Sequence, residues 1–159
     1  WMADGYVEYV FPNTLAPQVR VVSLELMMEL GSETPGYNND FPSDITLWIN
    51  GTEIGSWRSP GDMGGHRGRL NPSWWADNLN QFGFLKSWIV DATGSYVDGI
   101  QISSTTIDQL GIEPYQPTTI RIGIKDDAEV HGGFTLFGKN FGNYEQDLIL
   151  RLHHSGKSK

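Results

Sequence analysis

The 159-residue chain contains no cysteine, which excludes disulfide cross-links and thiolate metal sites and suits a reducing compartment. Charge is scarce: Asp, Glu, Lys and Arg make up 19% of the residues, where soluble domains average about 25%. Positive charge is scarcer still. The 11 Lys and Arg residues stand against 19 Asp and Glu residues, for a formal net charge of −8. DNA binding needs a concentrated basic surface to neutralise phosphates, so no direct nucleic-acid contact is expected of this segment. Arg58, Arg67 and Arg69 form a local basic cluster and nothing larger. No apolar run approaches the roughly 20 residues needed to span a bilayer, and no segment reads as a signal peptide. No membrane partner and a cytoplasmic location are therefore expected. Helical periodicity is nearly absent, the one candidate being Ser104–Leu110, which Thr105 or Thr106 could cap and which is too short to stand alone.

Glycine and aromatic residues are what the chain has in quantity. Nineteen residues are glycine, well above the usual share of about 7%, which implies many tight turns. Strand signals run from end to end as β-branched and aromatic alternation. They cover Val7–Phe11, Val19–Glu29, Ser43–Asn50, Thr52–Trp57, Phe84–Asp91, Tyr96–Ser103, Thr118–Lys125, Phe134–Phe137 and Asp147–Leu152. A parity shift near Ser23-Leu24 predicts a bulge or bend. Asn50-Gly51 between two alternating runs predicts a type I′ hairpin, whose central residues both need positive φ. Without βαβ alternation, eight to ten short strands imply an all-β fold, an antiparallel β-sandwich or jelly roll with one long Gly/Trp-rich loop. Residues 1–154 are expected to form a single β-sandwich ligand-binding domain and 155–159 a flexible tail. Opening at Trp1 rather than Met leads us to expect a fragment of a longer protein.

The long loop, Arg58 to Phe82, is where function is expected, because loops of that length without strands are uncommon unless functional or disordered. It is too aromatic for disorder. Trp74 or Trp75 would be a stacking platform for a sugar ring, with one of the two also plugging the loop to the body. Arg58, Arg67 and Arg69 would donate hydrogen bonds in fork geometry, while Asp62, His66 and Asn71 orient the ligand. The segment Phe137–Tyr144 could form the other wall of a cleft, although an ordinary glycine-rich connection is the simpler reading. Trp48, Trp57 and Trp88 fall in strands and read as core or sheet surface.

A metal site could draw on Asp62, His66, Asp126, Asp127, Glu129 or His131, but the spacing of these residues fits no ligand pattern, and Asp126-Asp127 reads as a turn. No metal and no cofactor are expected. Paired carboxylates, Asp62 with Glu129 or Asp77 with Asp91, would suit glycoside hydrolysis. Nothing fixes either pair, and there is no nucleophile elbow or phosphate loop. The chain does not read as an enzyme.

The runs Ile45–Gly51, Gly61–Gly68, Asn71–Trp75 and Phe137–Tyr144 resemble the C-terminal domain of bacterial winged-helix regulators of the ArsR-like group. The resemblance extends to about His154. In that group a DNA-binding winged helix precedes a β-sandwich, so the resemblance implies an effector-sensing module lacking its DNA-binding half, with a small-molecule ligand, a sugar by the loop chemistry. A homodimer of the full-length protein is compatible with it. Metal sensing is not carried over, since ArsR metal ligands are cysteines and histidines on helices. The alternatives are a carbohydrate-binding module of a glycoside-active enzyme, and a protein-interaction or dimerisation domain.

Overall fold

The computed structural model describes residues 1–155. Ten strands build two antiparallel sheets. The first contains β1 (Tyr6–Phe11), β8 (Thr118–Gly123), β3 (Ser43–Ile49) and β4 (Thr52–Ser59), in that order. The second runs β10 (Ile149–Ser155), β2 (Arg20–Gly31), β5 (Phe84–Val90), β6 (Ser95–Val97) and β7 (Ile100–Ser103). The short β9 (Thr135–Phe137) pairs with the end of β2, at Glu29–Gly31, beyond the Arg20–Met27 stretch that β10 occupies. The β1–β2, β2–β3, β4–β5, β7–β8 and β8–β9 connections cross between sheets, which closes the two layers into the expected β-sandwich.

Alternation dictates the core. Leu24, Leu26, Met28 and Leu30 of β2 project inward at every second position, as do Ile45, Leu47 and Ile49 of β3 and Ile120 and Ile122 of β8, all fully buried. Trp88 and Val90 come from β5 and Ile54 from β4, and these residues form one cluster. Trp48 and Trp57 are half-buried on their strands. The parity shift in β2 is a bulge: Ser23 opposes His153 while Val21 opposes His154, leaving Val22 as the extra residue. The predicted hairpin is present, with φ of 49° at Asn50 and 80° at Gly51.

Three expectations are corrected. Tyr96–Ser103 is two strands rather than one, because Asp98-Gly99 takes positive φ (49° and 82°) and turns the chain into a second tight hairpin. The helical candidate shrinks to a single 3-10 turn, Ile107–Leu110, which buries Ile107 and Leu110 against the core. Ser155, assigned to the tail, ends β10 and pairs with Arg20, while residues 156–159 lie outside the described residues.

Candidate ligand-binding site

The long loop is held by polar side chains turned inward, toward its own backbone. Gln81 is fully buried, and its amide donates to the carbonyls of Ala76 (2.8 Å) and Leu79 (2.9 Å). Asn71 donates to the carbonyl and side-chain oxygens of Gln81, both at 2.8 Å, and accepts the Gly142 N–H at 2.7 Å. Arg67 donates to the Trp75 carbonyl at 2.9 Å, to Asp77 at 2.5 Å and to the Pro72 carbonyl. At Gly64 a Cβ would run into the Tyr37 ring, so glycine there lets the Glu33–Pro42 loop lie directly on the long loop. These contacts satisfy backbone groups that irregular chain would otherwise leave unpaired.

Asp62 is sealed inside. One carboxylate oxygen accepts the Thr34 N–H at 2.9 Å, and the other has no hydrogen-bond partner among the described residues. Burial, reinforced by the nearby Glu33 carboxylate, pushes its pKa up to about 7. Glu29, also buried, accepts N–H groups from Gly83 (2.9 Å), Asn143 (3.0 Å) and Tyr144 (3.0 Å). It thereby ties β2 to both the long loop and the Phe137–Tyr144 segment. Burial raises its pKa, against the pull of those three donors.

Beside this buttress lie two adjoining clefts of about 350 Å³ and 200 Å³. Trp1, Glu33, Trp75 and Asn80 border both. Pro35 and Leu79 extend the larger cleft, whose volume is within the roughly 300–1,000 Å³ of small-ligand sites. Thr135, Phe137 and Phe141 extend the smaller one. Trp75 is fixed: its indole N–H donates to the Asn80 carbonyl at 2.8 Å, and its ring meets Phe141 edge to face at 5.3 Å. A polar relay lines the floor. Asn80 donates to the Thr135 hydroxyl at 3.4 Å, and Thr135 donates to Glu33 at 2.5 Å. The side-chain carbonyl of Asn80 is buried without a partner among the described residues.

Of the eight residues proposed from sequence, Trp75 alone borders these clefts. Trp74 stands beside it, edge to face at 5.9 Å and 71% exposed. His66 and Arg69 are exposed on the loop. Arg58 lies outside the loop cluster. It belongs to β4 and pairs with Asp44 at 2.7 Å and Glu129 at 2.6 Å. Arg67 and Asn71 hold the loop together through its own carbonyls, and Asp62 is turned inward onto the Thr34 N–H of the neighbouring loop. The Phe137–Tyr144 segment, read from sequence as a simple connection, supplies the far wall of the smaller cleft through Phe137, Gly138 and Phe141. Glu33, Asn80 and Thr135 were missed. Each is an ordinary polar residue in sequence, and only the pairing of Thr135 with Gly31 brings the three together.

Two other surface clefts are built differently. One of about 410 Å³ runs over the Lys125–Glu53 and Lys125–Asp127 ion pairs, and one of about 280 Å³ over the Arg20–Asp108 pair. Among the described residues no three His, Asp or Glu side chains gather as a metal-holding group. The carboxylates considered for hydrolysis are engaged elsewhere: Asp77 with Arg67, Glu129 with Arg58, and Asp91 with its own turn through Thr93 and Gly94. Among the described residues no helix is long and apolar enough to cross a membrane. No family model matches the chain, and no curated protein or solved structure matches it significantly.

Proposed function

We propose that this β-sandwich is a carbohydrate-binding, ligand-sensing domain of a bacterial transcription regulator, and that the paired clefts around Trp75 are where the ligand sits. The observation that carries the reading is the fixed indole of Trp75 between two adjoining clefts, with Glu33, Asn80 and Thr135 beside it. An immobilised aromatic face gives a sugar ring its stacking surface at little entropic cost, and a few convergent polar groups give it orientation. The sensing role rests on the resemblance to ArsR-like regulators. The same clefts would serve a carbohydrate-binding module. Binding without turnover is expected in either case, since Asp62 is sealed and the other acids considered are committed to ion pairs or turns.

Isothermal titration against neutral mono- and oligosaccharides tests the reading, with Trp75→Ala as the variant. A sugar class that binds saturably, and at least about tenfold more weakly to the variant, supports it, since loss of one stacking contact costs on the order of 1 kcal/mol or more. Absence of binding by every saccharide, charged or neutral, would refute it.

A further inference from the structure

Both clefts have a single charged side chain on their walls, the carboxylate of Glu33. No arginine, lysine or histidine borders either one, and no ion pair among the described residues includes Glu33. The relay from Asn80 through Thr135 ends on one Glu33 oxygen, which accepts the Thr135 hydroxyl, and the other oxygen accepts no hydrogen bond from the described residues. Trp1, Trp75 and Phe141 line the smaller cleft together with Glu33. An indole face attracts a cation through its quadrupole, and the attraction strengthens when water is excluded. A carboxylate sharing a cleft with such rings, with no Arg, Lys or His side chain on the walls to neutralise it, complements a ligand that is both cationic and ring-shaped. It disfavours phosphorylated or uronic ligands, whose charge would meet Glu33 with no basic side chain on the walls to offset it.

We propose that the Trp75 clefts select an amine-bearing ligand, an amino sugar with its amino group unacetylated, through a charge-assisted hydrogen bond from the ligand ammonium to Glu33. This rests on the carbohydrate-binding reading and narrows it to a substrate class. Thr135 and Asn80 act as positioning residues, fixing the Glu33 carboxylate through the relay.

The test is calorimetric titration of the whole chain at low salt with four probes: an oligomer of glucosamine, the same oligomer N-acetylated, a neutral gluco-oligosaccharide of equal length, and tetramethylammonium. The expected result is about tenfold tighter binding of the glucosamine oligomer than of its acetylated or neutral counterparts. Glu33→Gln should reduce that preference to within about twofold, while Glu113→Gln, which removes an exposed acid outside the clefts, should leave it intact and so exclude general attraction to an acidic protein. If Glu33→Gln fails to fold, the wild-type ranking of the probes still decides. Equal affinity for the charged and neutral saccharides, or a preference that survives Glu33→Gln, would overturn the amine assignment while leaving carbohydrate binding in place. Binding of tetramethylammonium but of no saccharide would overturn both the amino-sugar assignment and the carbohydrate reading. Binding of no probe would also overturn both.

Discussion

Replacing Asp62 by asparagine should abolish much of the pH dependence of stability on the neutral side. Asp62 is completely buried, accepts one backbone N–H, and has one oxygen without a partner among the described residues. Its pKa rises from 3.8 to about 7 through burial, with the Glu33 charge adding to it. A group that binds its proton more tightly in the folded chain stabilises the fold fully below the unfolded pKa near 4, and loses that contribution as the pH rises through about 7. At 1.36 kcal/mol per pH unit the full span is on the order of 4 kcal/mol, of which about 2 to 3 kcal/mol falls between pH 5 and pH 8. Asparagine keeps an oxygen for the Thr34 N–H and carries no charge. Urea denaturation at pH 5, 6, 7 and 8 should show the wild type losing stability across the series and Asp62→Asn losing markedly less, so that the variant is the more stable at pH 8. Glu29, whose pKa is also raised, contributes equally to both proteins and cancels in the comparison. Parallel profiles for the two proteins would refute the argument, because they would mean that Asp62 is ionised in the fold across this range.

Glu29→Ala should cost about 2 to 3 kcal/mol in chemical denaturation, since it strands the buried N–H of Gly83 and removes the acceptor of the partly buried N–H groups of Asn143 and Tyr144. A loss under 1 kcal/mol would show that the carboxylate is not the latch between β2 and the two loops. Arg67→Lys should loosen the long loop by about 1 to 2 kcal/mol, measured as faster amide exchange over residues 67–80. A lysine ammonium cannot span the Pro72 and Trp75 carbonyls and Asp77 at once, as the planar guanidinium does. Unchanged exchange would mean that Asn71 and Gln81 hold the loop without it.

The strands were legible in the sequence because period-two burial is a local property. Ile45, Leu47 and Ile49 read as a buried face and are one. The bulge in β2 was legible for the same reason, as was the Asn50-Gly51 turn. Asp98-Gly99 carried an equivalent signal but was absorbed into a longer apolar run, which is why one strand was expected where two exist. The binding residues were harder. Arg, Asp and Asn in a glycine-rich loop are as well suited to hydrogen-bonding backbone carbonyls and N–H groups as to binding a sugar, and spacing cannot say which way a side chain turns. Arg67, Asn71 and Asp62 turned inward because an irregular segment of this length has many backbone groups to satisfy.

What the sequence by itself determined is the all-β character, most of the strand positions and a long loop anchored by Trp74 or Trp75, all of which follow from alternation, glycine content and aromatic placement. Only the tertiary structure decided where a ligand could sit. Trp1, Glu33, Trp75, Asn80, Thr135 and Phe141 come from widely separated stretches of chain and meet only because β9 pairs with the end of β2 and the two long loops fold over that edge. Long-range strand pairing sets that geometry, and no local pattern encodes it.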